Sequence, residues 1–390
     1  MKKRLSNILG IGNVSDSPLD LDAYSYCSSE AELKPKLIAW PKTLEQVRKL
    51  ILFANQTHTS LLLRGSGSGS VDATIGENTL VVSSEKMKKI TQFDVENKII
   101  EVESGMRISD LNDKLAEFKL CFLLTPQNPV QTIGSMVALN MATKETQALG
   151  RMADWVEEVE FVDGTGKYYN TKKKELVFGR EGLTGFITKV KLKLADKPSL
   201  SFDIFSFTQL LDLLKQVRVL KKDLEVYFIE FFDKKISKEL GFDDSYLLIV
   251  AYSVLKGKNR TIQDAKKISN KLDLVYPSLR LQKYFFTLDP FVSLEKAYDL
   301  IEWCEKNNVR LHGHIGIGLF YAYFQKEDKD LMNTFKSFIR RINGDFGEVF
   351  GHGSVNKSFV NPVKKKELIK LKDEYDYNNI LNPSKFIDYR

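Results

Sequence analysis

The chain has 390 residues, enough to bury a large core and to divide into two or three domains, and its hydrophobic (43%) and charged (28%) fractions argue against extensive disorder. Its formal charge of +7 comes from scattered lysines, without the long basic block interleaved with aromatics that nucleic-acid binding needs. Three distant cysteines, Cys27, Cys121 and Cys304, point to a reducing compartment and exclude a cysteine-rich iron–sulfur or zinc site within the chain.

Met1-Lys2-Lys3-Arg4 has the charge of a secretory n-region, but Ser6, Asn7, Gly10, Gly12 and Asn13 interrupt the apolar residues that follow. No segment approaches a transmembrane length, so a cytoplasmic location is expected, with at most peripheral membrane contact. Further on, Thr43 and Gln46 form a capping-box pattern, and Leu44, Val47, Leu50, Ile51 and Ala54 mark the apolar face of a helix. A buried strand is expected at 61–63. The run Arg64-Gly65-Ser66-Gly67-Ser68-Gly69-Ser70 leaves it. By composition this run is a flexible linker, but it lies between two apolar strands, 61–63 and 80–83, and therefore reads better as a loop. Its glycines allow close backbone approach, and its exposed N–H groups can cradle a phosphate.

Another strand covers 98–104, and a helix is expected over 108–118 with Ser109 as its cap and Leu111, Leu115 and Phe118 on one face. In Thr132–Asn140 the small residues Gly134, Ser135 and Ala138 allow close packing, read first as a contact with another helix. A hairpin spans 156–170 around Asp163-Gly164-Thr165-Gly166, and a strand over 185–194 ends at Lys197-Pro198, the best domain boundary. Beyond it, aromatic and β-branched strands at 226–232, 246–254 and 281–288 predict an antiparallel sheet. Helices are expected at 294–306, 331–342 and 363–374. The cluster Lys364-Lys365-Lys366 reads as the solvated face of the last one, or as an attraction for an acidic partner or anionic surface.

No Walker loop, G-x-G-x-x-G fingerprint or G-x-S-x-G elbow is present. Three of the four histidines, His312, His314 and His352, lie in the last quarter of the chain. On a strand, His312 and His314 share a face, while His352 between Gly351 and Gly353 suggests an imidazole in a tight turn near a ligand. Three readings stay open: half-buried histidines satisfied by backbone, a general base, or a metal site.

Taken in order, these pieces resemble one family, the FAD-linked oxidases and dehydrogenases of the vanillyl-alcohol-oxidase type with a para-cresol-methylhydroxylase-like flavin domain. The similarity is greatest to the D-lactate dehydrogenase and glycolate oxidase branch. Ile38–Val47 is similar to the family's entry segment, and Arg64–Gly69 to the loop that wraps the FAD pyrophosphate. Pro126 with Thr132-Ile133-Gly134-Ser135 and Asn140 resembles the segment beside the flavin. Gly179–Thr188, which carries Gly182, Gly185 and Ile187, and Asn379–Lys385, which carries Asn382, match two further motifs. The resemblance implies a two-domain α+β fold: an N-terminal arm (1–29), a flavin domain (30–198), a shortened substrate domain of antiparallel sheet and helices (199–340), and a C-terminal segment (341–390) returning to the flavin domain. It implies FAD, held without a covalent bond because no His or Cys stands in the glycine loop or in 126–150.

The departures are informative. The branch's metal motif keeps His314 but has Tyr321 at its second histidine, and Gly351 stands where the other motif has glutamate. No metal is therefore expected. His352 is left as the family's base candidate, and His314 as a second catalytic candidate. For the substrate-anchoring arginine the nearest candidates are Arg280 and Lys283. The expected activity is oxidation of a hydroxyl-bearing carbon, foremost in a small 2-hydroxy acid such as D-lactate or glycolate. The alternatives are a flavin-binding subunit with little activity of its own and a sugar or alditol oxidase. Electrons would leave to oxygen, a quinone, or a separate iron–sulfur or other electron-transfer partner.

Overall fold

The computed structural model describes residues 1–27, 32–253 and 286–389, together with 267, 275, 278, 279 and 281–284. Arg280, and Val254 at the end of an expected strand, lie outside the described residues. The chain forms two compact units, one of residues 1–141, 151–196 and 349–390, the other of residues 142–150 and 197–348. Three stretches thus fall differently from the division read in the sequence: 142–150, 197–198 and 341–348 pack with the second unit. Leu5, Leu9 and Val14 of the N-terminal arm enter the core of the first unit.

That unit holds a four-stranded sheet in the order Val14–Ser15, Leu37–Ala39, Leu80–Ser83, Leu61–Arg64. The last three strands run parallel. Both faces are covered, which is why these strands read as unbroken apolar runs. Leu61, Leu80 and Val82 pack on Val47, Leu50, Ile51 and Ala54 of the helix Leu44–Thr57. On the opposite face, Leu62 and Val81 meet Tyr24 and Trp40. Thr43 Oγ1 accepts the Gln46 N–H at 3.2 Å, so the helix begins where its cap predicts.

An antiparallel five-stranded sheet runs Ile90–Asp94, Ile99–Glu103, Gly185–Lys193, Val156–Asp163, Tyr168–Thr171. The next helix is shorter than expected, Ile108–Leu115, and Ser109 lies inside it rather than at the cap. Its first amides need no side-chain cap, because Ile108 and Ser109 N–H donate to the carbonyls of Gln131 and Pro129. Phe118 falls beyond its end, 47% exposed, with its ring edge-on to Phe93.

The C-terminal segment returns to the first unit. Leu61 N–H donates to Ile380 C=O at 2.7 Å, and Asn382 N–H to Leu61 C=O at 2.8 Å. Behind this contact lies a buried pair at the end of the helix Pro362–Tyr375. Lys372 donates to Asp376 at 2.6 Å and to Leu381 C=O at 2.7 Å, while Asp376 accepts the N–H groups of Ile380 and Leu381.

The second unit is built on an antiparallel six-stranded sheet in the order Ser201–Phe207, Tyr246–Tyr252, Val226–Phe232, Arg310–His314, Leu319–Phe324, Phe286–Leu288. The helix Leu294–Lys306 buries Ala297, Leu300, Ile301 and Cys304. The strand expected over 281–288 begins only at Phe286, since Leu281 is exposed and Lys283 is left-handed (φ 68°), which breaks the extended run. The architecture is a two-unit α+β fold.

Candidate functional site

A cavity opens in the first unit. The glycine/serine run forms one wall, from Arg64 at the end of its strand to Gly69. Gly134, Ser135 and Ala138 form another, one face of the short helix Ile133–Leu139. The sequence led us to expect a second helix against these small residues. Instead Gly134 lies on the backbone of Ser104, donating to its carbonyl at 2.8 Å, where a Cβ would meet Ser104 Cβ at 2.7 Å. Gly182, Gly185, Ile187 and Asn382 complete the lining expected from the sequence.

The loop is shaped by the arginine that precedes it. Arg64 is 9% exposed, and its guanidinium donates to the carbonyls of Tyr26 at 3.1 Å and Thr74 at 3.2 Å while resting on the Tyr24 ring. Gly67 (φ 70°) folds back on that guanidinium, and any Cβ there would overlap it. Burial pulls the Arg64 pKa below its ordinary value, with Tyr24 and Glu85 opposing, yet a guanidinium stays charged in proteins. Among the described residues no carboxylate forms an ion pair with it. Its charge therefore stands behind a loop whose Gly65, Ser66, Gly67 and Gly69 amides donate to no protein acceptor among the described residues. Ser66 Oγ is turned to Ser68 Oγ at 3.1 Å. Open amides over a buried cation suit a diphosphate.

Asn382 ties the cavity walls together. Its Oδ1 accepts the Leu63 N–H at 2.7 Å, and its Nδ2 donates to Glu181 C=O at 2.7 Å. Three residues expected at the cofactor do not line the cavity: Pro126, Thr132 and Asn140. Thr132 caps the helix, with Oγ1 behind Gly65 at 2.5 Å from where a Cβ would be. Asn140 closes the same helix in a left-handed turn, and its Oδ1 accepts the Ala153 N–H at 3.0 Å. Both shape the wall from behind. Ser84, Ser104, Gln131, Glu181 and Phe350 line the cavity without having been singled out for it. Only Glu181, inside a recognised motif, carried any local signal.

The histidines differ sharply. In the first unit His352 sits between Gly351 and Gly353, both at positive φ. Its Nδ1 lies 2.8 Å from Glu181 Oε1, which also accepts the His352 N–H at 2.9 Å. The ring stacks on Phe386 at 4.6 Å. Among the described residues Nε2 makes no hydrogen bond. His352 itself is 4% exposed and is not part of the cavity wall.

In the second unit His312 and His314 are both buried on the strand Arg310–His314. His314 Nδ1 is 2.9 Å from Glu230 Oε1, and Nε2 is 3.1 Å from the Tyr321 hydroxyl. Burial of Glu230 opposes its charge, but His314 in contact, with Lys144 beyond, outweighs it and holds the carboxyl below its ordinary value. His312 stacks with Phe232, Tyr321 and Tyr323. Burial pushes its pKa down to about 3, so it is neutral. Among the described residues no group of three or more His, Cys, Asp or Glu side chains is placed to hold a metal.

The two-unit fold and the cavity can be set beside known proteins. Residues 35–172 match the FAD binding domain family. The D-lactate dehydrogenase of Archaeoglobus fulgidus is 23% identical, over 94% of this chain and 96% of that protein. The mitochondrial D-lactate dehydrogenase [cytochrome] 1 of Saccharomyces cerevisiae is 27% identical over 48% of this chain and 35% of its own length. Among solved structures, alkyldihydroxyacetonephosphate synthase superposes with a TM-score of 0.72 at 16% identity, covering 98% of this chain and 84% of its own. The 6-hydroxy-D-nicotine oxidase of Arthrobacter nicotinovorans gives 0.69 at 16% identity, covering 97% and 98%. Residues 35–172 thus carry an FAD binding domain, FAD is the cofactor, and along its length the chain is similar to an FAD-linked dehydrogenase.

Proposed function

We propose that this chain oxidises a small 2-hydroxy acid, D-lactate or glycolate foremost, to the 2-oxo acid. The observation that carries this reading is the extent of the likeness to a D-lactate dehydrogenase, which runs through both units and not through the flavin domain alone. The Gly65–Gly69 amides, with Arg64 behind them, would hold the FAD diphosphate, and Gly134, Ser135, Gly182, Gly185, Ile187 and Asn382 would pack on the rest of the cofactor. Among the described residues no His or Cys lines the cavity, which supports non-covalent binding.

Oxidation of an alcohol to a ketone removes two electrons and two protons. FAD, when bound, supplies the acceptor for the hydride leaving the substrate carbon. His352 Nε2 takes the hydroxyl proton, the role a near-neutral imidazole suits. His314 is given no proton-transfer role, because its Nε2 is hydrogen-bonded to the Tyr321 hydroxyl and its Nδ1, which makes no hydrogen bond, lies buried 2.9 Å from Glu230 Oε1. The electrons pass on to an external acceptor, and the cytochrome in the yeast relative's name supports a one-electron carrier.

A second reading, a flavin-binding subunit with little activity of its own, is favoured by the engaged His314 and the low exposure of His352. Anaerobic addition of D-lactate, L-lactate, glycolate, D-2-hydroxyglutarate and polyols to the FAD-loaded protein separates them. Bleaching by a 2-hydroxy acid is the expected result. A protein that stays yellow with every compound supports the second reading, and bleaching by polyols alone supports a sugar or alditol oxidase.

A further inference from the structure

Glu181 and His352 are 171 positions apart in sequence and share one carboxylate–imidazole contact. We infer that Glu181 is the positioning residue that fixes the tautomer and ring orientation of His352, an inference that rests on His352 being the base. Three observations carry it. Glu181 Oε1 takes two hydrogen bonds from the same residue, the backbone N–H at 2.9 Å and Nδ1 at 2.8 Å, so it sets both where His352 sits and how its ring turns.

Glu181 is itself held rigidly. Its N–H donates to Ala138 C=O at 3.0 Å, its C=O accepts Asn382 Nδ2 at 2.7 Å, and it keeps a left-handed φ of 48° that a non-glycine residue adopts only under constraint. Finally, an ionised carboxylate has no proton to give. The bond to Glu181 must therefore use an Nδ1–H, which leaves the lone pair on Nε2, the nitrogen without a partner among the described residues. Because Glu181 also lines the cofactor cavity, it joins the base to the wall that receives FAD.

Other charges near the imidazole do not replace it. Asp72 reaches the turn through the Ser354 N–H at 2.8 Å, but it is paired with Lys385 at 2.8 Å. Lys364 stands over the Phe386 ring, 5.1 Å from its centroid, with that ring stacked on His352. Glu181 is the charge in direct contact.

The test is an NMR measurement of the histidine tautomers in FAD-loaded protein labelled with ¹³C and ¹⁵N at histidine, whose four histidines are few enough to assign with His352→Gln. In the wild type, neutral His352 should carry its proton on Nδ1. In Glu181→Gln, whose amide can donate as well as accept, that preference should be lost and anaerobic flavin bleaching by substrate should slow. A wild-type His352 protonated on Nε2, or a tautomer ratio unmoved by Glu181→Gln, overturns the inference. The first of these needs no variant to fold. Failure of the underlying reading looks different: His352→Gln would bleach at the wild-type rate while the tautomer still depended on Glu181.

Discussion

The two units use histidine in opposite ways. In the first, His352 sits in a turn between two left-handed glycines, one nitrogen fixed by Glu181 and the other left open. In the second, His314 sits in a six-stranded sheet with Glu230 at one nitrogen and the Tyr321 hydroxyl at the other. Both belong to motifs that resemble catalytic segments, so residue type and motif do not separate them. Availability of the second nitrogen does. The rest of each unit follows suit: in the first, the Gly65, Ser66, Gly67 and Gly69 amides have no protein acceptor among the described residues, whereas the second fills its sheet with stacked aromatic rings.

Three substitutions would break or sharpen this contrast. The largest effect is expected from Lys372→Met. It leaves Asp376 buried with its cation gone and should cost about 3–5 kcal/mol, read as a lower melting temperature. Flavin affinity should fall with it, because Lys372 and Asp376 hold the Leu381 backbone next to Asn382.

Gly67→Ala is smaller and more local. A left-handed alanine costs about 1–3 kcal/mol, and its Cβ would also displace the Arg64 guanidinium, so FAD should bind about tenfold more weakly or worse. Fluorescence titration of the apoprotein with FAD measures it. A variant that binds FAD as tightly as the wild type would remove the loop from the account.

The smallest effect concerns the second unit alone. His312 titrates near 3 in the folded chain, against an ordinary value of 6.5. The unfolded chain therefore takes up the proton first. Stability from this group is complete above pH 6.5 and is lost as pH falls from there towards 3, by at most about 1.4 kcal/mol per unit. His312→Phe keeps an aromatic ring among Phe232, Tyr321 and Tyr323, and should flatten the fall of melting temperature between pH 7 and 5.

What the sequence made legible was whatever leaves a local mark. The Thr43 cap, the glycine loop after Arg64 and the alternating His312 and His314 all do so, and each stands where its pattern predicts. Ser109 misled because backbone carbonyls of Pro129 and Gln131 satisfy the amides that a side-chain cap would have served. Ser84, Ser104 and Gln131 are ordinary residues brought to the cavity by strand ends and turns, with no spacing to announce them. Gly134 was recognised as a close-packing residue, but its partner, the Ser104 backbone, is a tertiary fact. The Glu181–His352 contact is the clearest case: each residue lies in a recognisable motif, and only the fold joins them.

The central claim is that the base is His352 and not His314. Stopped-flow bleaching of the flavin by D-lactate without oxygen, run on wild type, His352→Gln and His314→Gln, tests it most directly. His352→Gln should slow bleaching by about 10²–10⁴-fold, the usual contribution of a positioned base, while His314→Gln stays within about tenfold of wild type. A His352→Gln protein that bleaches at the wild-type rate, or a His314→Gln protein that alone loses the reaction, would contradict it.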